Sequence, residues 1–150
     1  MQASRSRGLK ADREAEARHP LPTAAAKPLY SEPHVRVPLG PPPSHLVIKE
    51  LVKGTGPVAV AGDHIVVHDL GLLYKTGTKF ESSWARGEPL SFVLGEGHVI
   101  PGWEKGIAGM RLYGRRELII PPALAYGPQG HPPTIPANET LVFVVDVIND

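Results

Sequence analysis

Five runs of β-branched and apolar residues, each closed by glycine or proline, leave this chain few folds to choose from. Leu46–Leu51 (LVIKEL), Ile65–Tyr74 (IVVHDLGLLY), Leu90–Leu94 (LSFVL), Glu117–Ile120 (ELII) and Leu141–Ile148 (LVFVVDVI) have strand composition. Lys79–Ser82 (KFES) is a weaker sixth run. Turn signals separate them, at Gly54-Thr55-Gly56-Pro57, Thr76-Gly77, Arg86-Gly87-Glu88-Pro89 and Pro121-Pro122. Only Pro101 to Ala108 reads as a helix, with Pro101 at the first helical position, where its missing N–H costs nothing. Many strands and one short helix predict an α+β domain, an antiparallel sheet with the helix on one face.

That helix is a poor one by composition. It lies in HVIPGWEKGIAGM, with Gly102, Gly106 and Gly109 inside three turns. Each interior glycine costs about 1 kcal/mol against alanine, so packing must hold it. Trp103 and Ile107 are four apart and share a face, which would plug the concave side of the sheet. Gly106 lies off that face and would let the backbone approach a neighbour closely. From spacing alone, Trp103 reads as a core residue.

The chain divides near Ser44. Residues 1–44 hold eight of the seventeen prolines, seven basic and four acidic residues, and few large apolar side chains. Such a segment cannot offset its ordering entropy by burial, so it reads as a disordered extension. Ala11–Arg18 is a candidate short helix, and Pro20 to Pro43 reads as a polyproline-like tether. Residues 45–150 carry nine basic and eleven acidic residues and can close one small core.

Several function classes drop out on composition. The formal net charge is +1, which gives no global field for nucleic acid or membrane. With no cysteine there is no disulfide framework, thiolate nucleophile or cysteine zinc site. No apolar run approaches the roughly 18–20 residues of a membrane span. No signal-like apolar block opens the chain, which reads as cytoplasmic as written; a start trimmed upstream would leave export open. Nucleophile elbows, phosphate loops and dinucleotide fingerprints are absent. His64 and His68 would share a strand face about 13 Å apart, too far for one metal, and read as exposed strand histidines. No cofactor is implied, and a monomer is the default.

One connection between strands is unusual. Ala125 to Pro136 (AYGPQGHPPTIP) mixes Tyr126, His131 and Ile135 with rigid prolines. Apolar and aromatic loops on a rigid scaffold are common binding edges, although a stiff connector would look the same.

Taken in order, these blocks resemble the FKBP-type peptidyl-prolyl isomerases, the immunophilins that bind rapamycin-like macrolides. The resemblance spans roughly residues 45–150. It rests on Val67-His68 followed by Gly71, then Lys79-Phe80-Glu81-Ser82-Ser83, Phe92-Val93-Leu94-Gly95, Val99-Ile100-Pro101-Gly102-Trp103-Glu104, Ala125-Tyr126-Gly127, Gly130-His131-Pro132, Ile135-Pro136 and Leu141-Val142-Phe143. It implies a twisted antiparallel sheet of five to six strands wrapped around one short helix. It places Trp103 at the floor of a pocket, Phe80, Phe92, Val99, Ile100 and Phe143 in its walls, and Tyr126, His131 and Ile135 in the far loop. The backbone N–H of Ile100 and the hydroxyl of Tyr126 would hold substrate carbonyls. No flap domain interrupts the region after Tyr126, and the histidine-rich tail of some bacterial relatives is absent.

The implied chemistry suits a chain without acid–base or metal motifs. An Xaa-Pro amide rotates over a barrier of about 18–20 kcal/mol, in tens of seconds or more. Twisting it removes resonance and much of its dipole, so an apolar pocket favours the twisted state over the planar ones. Each tenfold acceleration needs about 1.4 kcal/mol of that preference.

The pattern is broken at one wall. The family usually has tyrosine where this chain has Asp69, and aspartate where it has Glu81. Arg86 aligns with an arginine beside that acid. Either Asp69, Glu81 and Arg86 form a cluster, or Asp69 caps a solvent-facing rim. The lost aromatic implies weaker macrolide affinity and slower catalysis. The leading reading is a prolyl cis–trans isomerase assisting protein folding, with proline-containing polypeptides as partners. A non-catalytic module of the same fold, capturing proline-containing or unfolded segments, is the alternative that Asp69 favours.

Overall fold

The computed structural model describes residues 31–149. The candidate helix at Ala11–Arg18 lies outside them. Six strands form one antiparallel sheet: β1 (Val47–Val52), β2 (His64–Leu73), β3 (Lys79–Ser82), β4 (Leu90–Val93), β5 (Arg115–Ile120) and β6 (Leu141–Asn149). Their spatial order is β1-β5-β6-β2-β3. The long strand β2 serves two partners along one edge. Its first half pairs with β4, His64 opposite Val93, and its second half with β3, Leu70 opposite Ser82. Each expected run is a strand to within about two residues, the usual uncertainty of an element's end.

Two α-helical segments and one 3-10 turn (Pro122–Leu124) accompany the sheet among the described residues. The expected helix is α2 (Pro101–Ile107), and a single turn, α1 (Ser83–Arg86), precedes it in the chain. The turn was not anticipated, because four residues are too few for a periodic signal. Its cause is local: the Ser82 side chain caps the Ala85 N–H, and Gly87 ends the turn at φ 76°.

Packing explains the glycines of α2. A Cβ on Gly102 would overlap the side chain of Ile120, and one on Gly106 would sit 2.7 Å from Leu118. Both partners lie on β5 and are fully buried. The helix therefore rests its backbone on the sheet and turns Trp103 and Ile107 into the core, as their shared face predicts. Arg116 of β5 closes the far end of α2 by donating to the carbonyls of Gly106 and Ala108, at 2.9 and 3.0 Å.

The sheet is buried on both faces. Trp103, Ile107, Leu118, Phe143 and Val145 belong to the concave core. Leu70, Leu72, Tyr74, Ile119 and Val142 form a second cluster on the convex face, covered by Trp84, Val35 and Val37. Residues 31–43, expected to stand off as a tether, thus run irregularly along the sheet. Glu32 accepts hydrogen bonds from Lys79 (3.0 Å) and Ser82 (2.5 Å), and the Tyr74 hydroxyl donates toward the carbonyls of Gly40 and Pro41. Val35 and Val37 supply the apolar contacts, while His34 before them and Arg36 between them are exposed.

The convex face also holds a buried ion pair. Arg115 donates to both carboxylate oxygens of Asp146, at 2.6 and 2.7 Å. The guanidinium lies 5.9 Å from the Trp84 ring, which stacks on His68 at 4.9 Å. The Nδ1 of His68 is 2.7 Å from the Ser83 hydroxyl. His68 is therefore half-buried rather than the exposed strand histidine that its position suggested, and burial and the nearby Arg86 charge lower its pKa.

Candidate functional site

A cleft of about 660 Å³ opens on the concave side. It is bounded by Trp103 from α2, Phe143 from β6, Phe80 and Glu81 from β3, Asp69 from β2 and the loop that contains Tyr126, His131 and Ile135. Val99 and Ile100, just before α2, complete it. Elements distant in sequence thus converge because β2 is flanked by β6 and β3, and α2 lies across β5.

The floor is an aromatic assembly. Trp103 is only 4 % exposed but lines the cleft, so it is core below and platform above. Phe143 meets it edge-on at 5.2 Å, and Phe80 meets Phe143 edge-on at 5.5 Å. Such pairs hold ring orientation beyond what area burial provides. Gly71 makes the arrangement possible: a Cβ there would lie 2.8 Å from both Phe80 and Phe143. The two rings close over a bare strand backbone.

Phe92 takes a different place from the wall expected for it. It is buried and packs on Trp103 at 5.8 Å without bordering the cleft, whereas Leu90 and His98 do border it. Ala125 and Thr134 also border the cleft. Ala125 and Thr134 belong to the segment Ala125–Pro136 expected as a binding edge, whereas Leu90 on β4 and His98 after it carry no signal of their own in the sequence.

The far loop is built to be stiff. His131 and Ile135 exchange backbone hydrogen bonds of 2.8 and 3.0 Å, and Ile135 is buried at 3 % exposure. Gly130, at φ 68°, lies so close to the carbonyls of Ile135 and Pro136 that no side chain fits. Tyr126 packs on His131 at 5.4 Å, and burial and the charge of Glu81 raise its pKa. At the entry to α2, the Ile100 carbonyl accepts from the N–H groups of Trp103 and Glu104, and Glu104 in turn accepts from Gly95 and Gly97 at 2.5 and 2.7 Å.

The three charged residues of the aberrant wall do come together. Arg86 is ion-paired with Glu81 at the mouth and does not itself border the cleft. Asp69 is 1 % exposed, which excludes a solvent-facing rim cap. Its burial, then the neighbouring Glu81 charge and hydrogen bond, push its carboxyl up to about 8.

This arrangement offers no activated nucleophile. Ser83 approaches His68, but it is fully buried, its hydroxyl accepts the Asp69 N–H at 2.7 Å, and it does not border the cleft. What the cleft offers is an apolar, aromatic hollow with hydrogen-bonding groups at its edge.

Comparison with known proteins agrees with that geometry. The family model described as FKBP-type peptidyl-prolyl cis-trans isomerase matches residues 56–148. The chain is similar to the "FK506-binding protein" of Streptomyces anulatus, 50% identical over 118 residues, covering 78% of this chain and 95% of that one. It is similar to "Peptidyl-prolyl cis-trans isomerase FPR2" of Saccharomyces cerevisiae, 47% identical over 91 residues, 61% of this chain and 67% of that protein. Among solved structures it matches the crystal structure of AtFKBP13 with a TM-score of 0.67 and 40% identity, covering 73% of this chain and 95% of that chain.

Proposed function

Because the chain belongs to the FKBP-type peptidyl-prolyl cis-trans isomerase family, we propose that it accelerates Xaa-Pro rotation in the cleft above Trp103. The prolyl ring lies on the indole between Phe80 and Phe143, with buried Phe92 packed against the indole. The twisted amide, having lost much of its dipole, is favoured there over either planar form. The Ile100 N–H and the Tyr126 hydroxyl hold the flanking carbonyls. These contacts restrict the peptide without making or breaking bonds. Val99, His131 and Ile135 guide the segments on either side of the proline.

The observation that supports this reading is the open hollow over an otherwise buried indole, walled by Phe80, Phe143 and Tyr126. The same hollow suits FK506, the ligand for which the Streptomyces anulatus relative is named. We place the isomerase domain at residues 45–150, after an N-terminal extension of residues 1–44. An Asp at position 69 gives up an aromatic wall, so macrolides are held more weakly than by a tyrosine-bearing member.

Replacing Trp103 with Leu tests the floor. The kcat/KM for an Xaa-Phe-Pro peptide is expected to fall at least about tenfold, a loss of about 1.4 kcal/mol of preference for the twisted amide. Fluorescence of the wild type should change saturably on titration with FK506, and the variant should lose that change. A variant that folds and turns the peptide over at the wild-type rate would remove Trp103 from the site.

A further inference from the structure

Asp69 sits where an apolar cleft has least use for a carboxyl group. Strand alternation puts it on the concave face with Gly71, beside the Phe80 and Phe143 rings that close over that glycine. It is 1 % exposed, it lines the cleft, and its Oδ1 has no hydrogen-bond partner. Its backbone is fixed, because its N–H donates to the Ser83 hydroxyl at 2.7 Å. The carboxyl is held away from water by the side chains packed around it, not by any partner of its own Oδ1.

The charges around it do not balance. From β3 it faces Glu81; from α1 comes one cation, Arg86, and that is engaged by Glu81 at the mouth. Paired strand β6 presents Val145 opposite Asp69 and Phe143 two residues away, both apolar. From α2 the cleft receives Trp103, and from the loops Tyr126, His98 and His131. The preceding residue, His68, points to the convex face. Two carboxyl groups thus share one guanidinium, and the buried one is the one without it.

We propose that Asp69 is a positioning residue that works only in its protonated form: its proton is shared toward Glu81, and the cleft closes on a proline-containing ligand only while that proton is in place. The proposal rests on the cleft being the prolyl site. Physical reasoning gives its direction. The free carboxyl is already raised to about 8 by burial and by Glu81. A ligand that seals the cleft removes more water from it, which disfavours the charged form further. The liganded protein therefore holds this proton more tightly than the free one, and by linkage the ligand binds more weakly once the proton has left. Ligand capture is constant below about pH 7 and falls as pH rises through about 8. The Tyr126 hydroxyl, raised above its ordinary value of 10.0, stays protonated through that window.

The test is the pH profile of kcat/KM for an Xaa-Phe-Pro peptide, which reports groups of the free enzyme, on wild type and on Asp69→Asn. The wild-type value is expected to be level from about pH 6 to 7 and to approach a tenfold fall per pH unit above about 8. The Asn variant keeps the shape, has no acidic proton, and loses the alkaline fall whatever its absolute rate. The carboxyl carbon of Asp69 in the free protein, followed by NMR, should titrate over the same window. A level wild-type profile, or the same fall in Asp69→Asn, overturns the proposal. Normal turnover with an Asp69 carboxyl that titrates near about 4, the ordinary range, overturns the proposal alone. Absence of turnover at every pH overturns both it and the isomerase reading.

Discussion

Arg115→Met is expected to destabilise the domain by about 3–5 kcal/mol, the cost of leaving a buried carboxylate without its partner. Asp146 is fully buried and Arg115 is 8 % exposed, and the two are joined by a two-pronged contact at 2.6 and 2.7 Å. A loss of this size lowers Tm by roughly 10–20 °C in a domain of this length. The pH dependence distinguishes the mechanism from simple loss of packing. Burial raises the Asp146 pKa and Arg115 opposes that rise; without the guanidinium the folded-state pKa goes higher still. A group raised in the folded state contributes its full stability below its unfolded pKa, about 4, and loses it as pH rises through the folded value. The deficit of the variant should therefore narrow as pH falls toward 4 and widen toward neutrality. Urea unfolding at a series of pH values measures it. The double change Arg115→Met with Asp146→Leu should recover most of the loss, since an apolar pair of similar volume leaves no stranded charge. A deficit independent of pH, undiminished in the double variant, would show that the arginine acts by packing alone.

Gly102→Val is the substitution expected to separate the helix from the sheet. The first side-chain carbon would overlap the side chain of Ile120, which is fully buried. Overpacking of this kind costs about 1–3 kcal/mol, mostly through backbone shifts. Here the shift moves the residue next in sequence, Trp103, and with it the floor of the cleft. A misplacement of about 1 Å in a positioning residue can lower catalysis by about 100-fold. Isomerase activity should therefore suffer much more than the urea midpoint does. Equal, small losses in both would mean that Ile120 yields and the helix stays in place.

Much of the architecture was legible in the chain. Strand runs such as LVFVVDVI and IVVHDLGLLY announce themselves because burial on alternating faces demands β-branched residues throughout. Trp103 with Ile107 announced the buried face of α2. That Gly106 would allow a close approach was legible too, but not what it approaches, nor the same role for Gly102. Close approach is a property of a pair, and Ile120 and Leu118 lie beyond a loop on another strand. The same holds for the Arg115, Asp146, Trp84 and His68 cluster, which is assembled from β5, β6, α1 and β2 with no fixed spacing among its members. One hint was present: a charge inside a run as apolar as VFVVDVI requires a partner somewhere. Asp69 in IVVHDLGLL carries the same hint, and there the partner is another acid.

Residues around the cleft divide in the same way. Those that resemble a family motif, Phe80, Trp103, Tyr126 and Phe143, surround one hollow. Phe92 could be placed in the aromatic assembly from the sequence, but its withdrawal from the cleft wall could not. That distinction depends on which face of β4 meets α2. Leu90 and His98 were invisible because no motif or spacing marks them, and only the folded placement of β4 and the turn after it brings them to the cleft.

The segment at residues 31–43 has a consequence for handling and evolution of the domain. It lays Val35 and Val37 over Leu70, Leu72, Ile119 and Val142 and is fastened by Glu32 to Lys79 and Ser82. Trimmed back to residue 45, the protein would retain every residue of its cleft yet bare a greasy strip on the opposite side of the sheet. Solubility, not turnover, should suffer first: light scattering is expected to rise with concentration for the trimmed form and to stay flat for the full chain. Such a proline-rich leader doubles as a lid for the back of the sheet, so a partner or protease that peeled it away would switch that surface from sealed to adhesive.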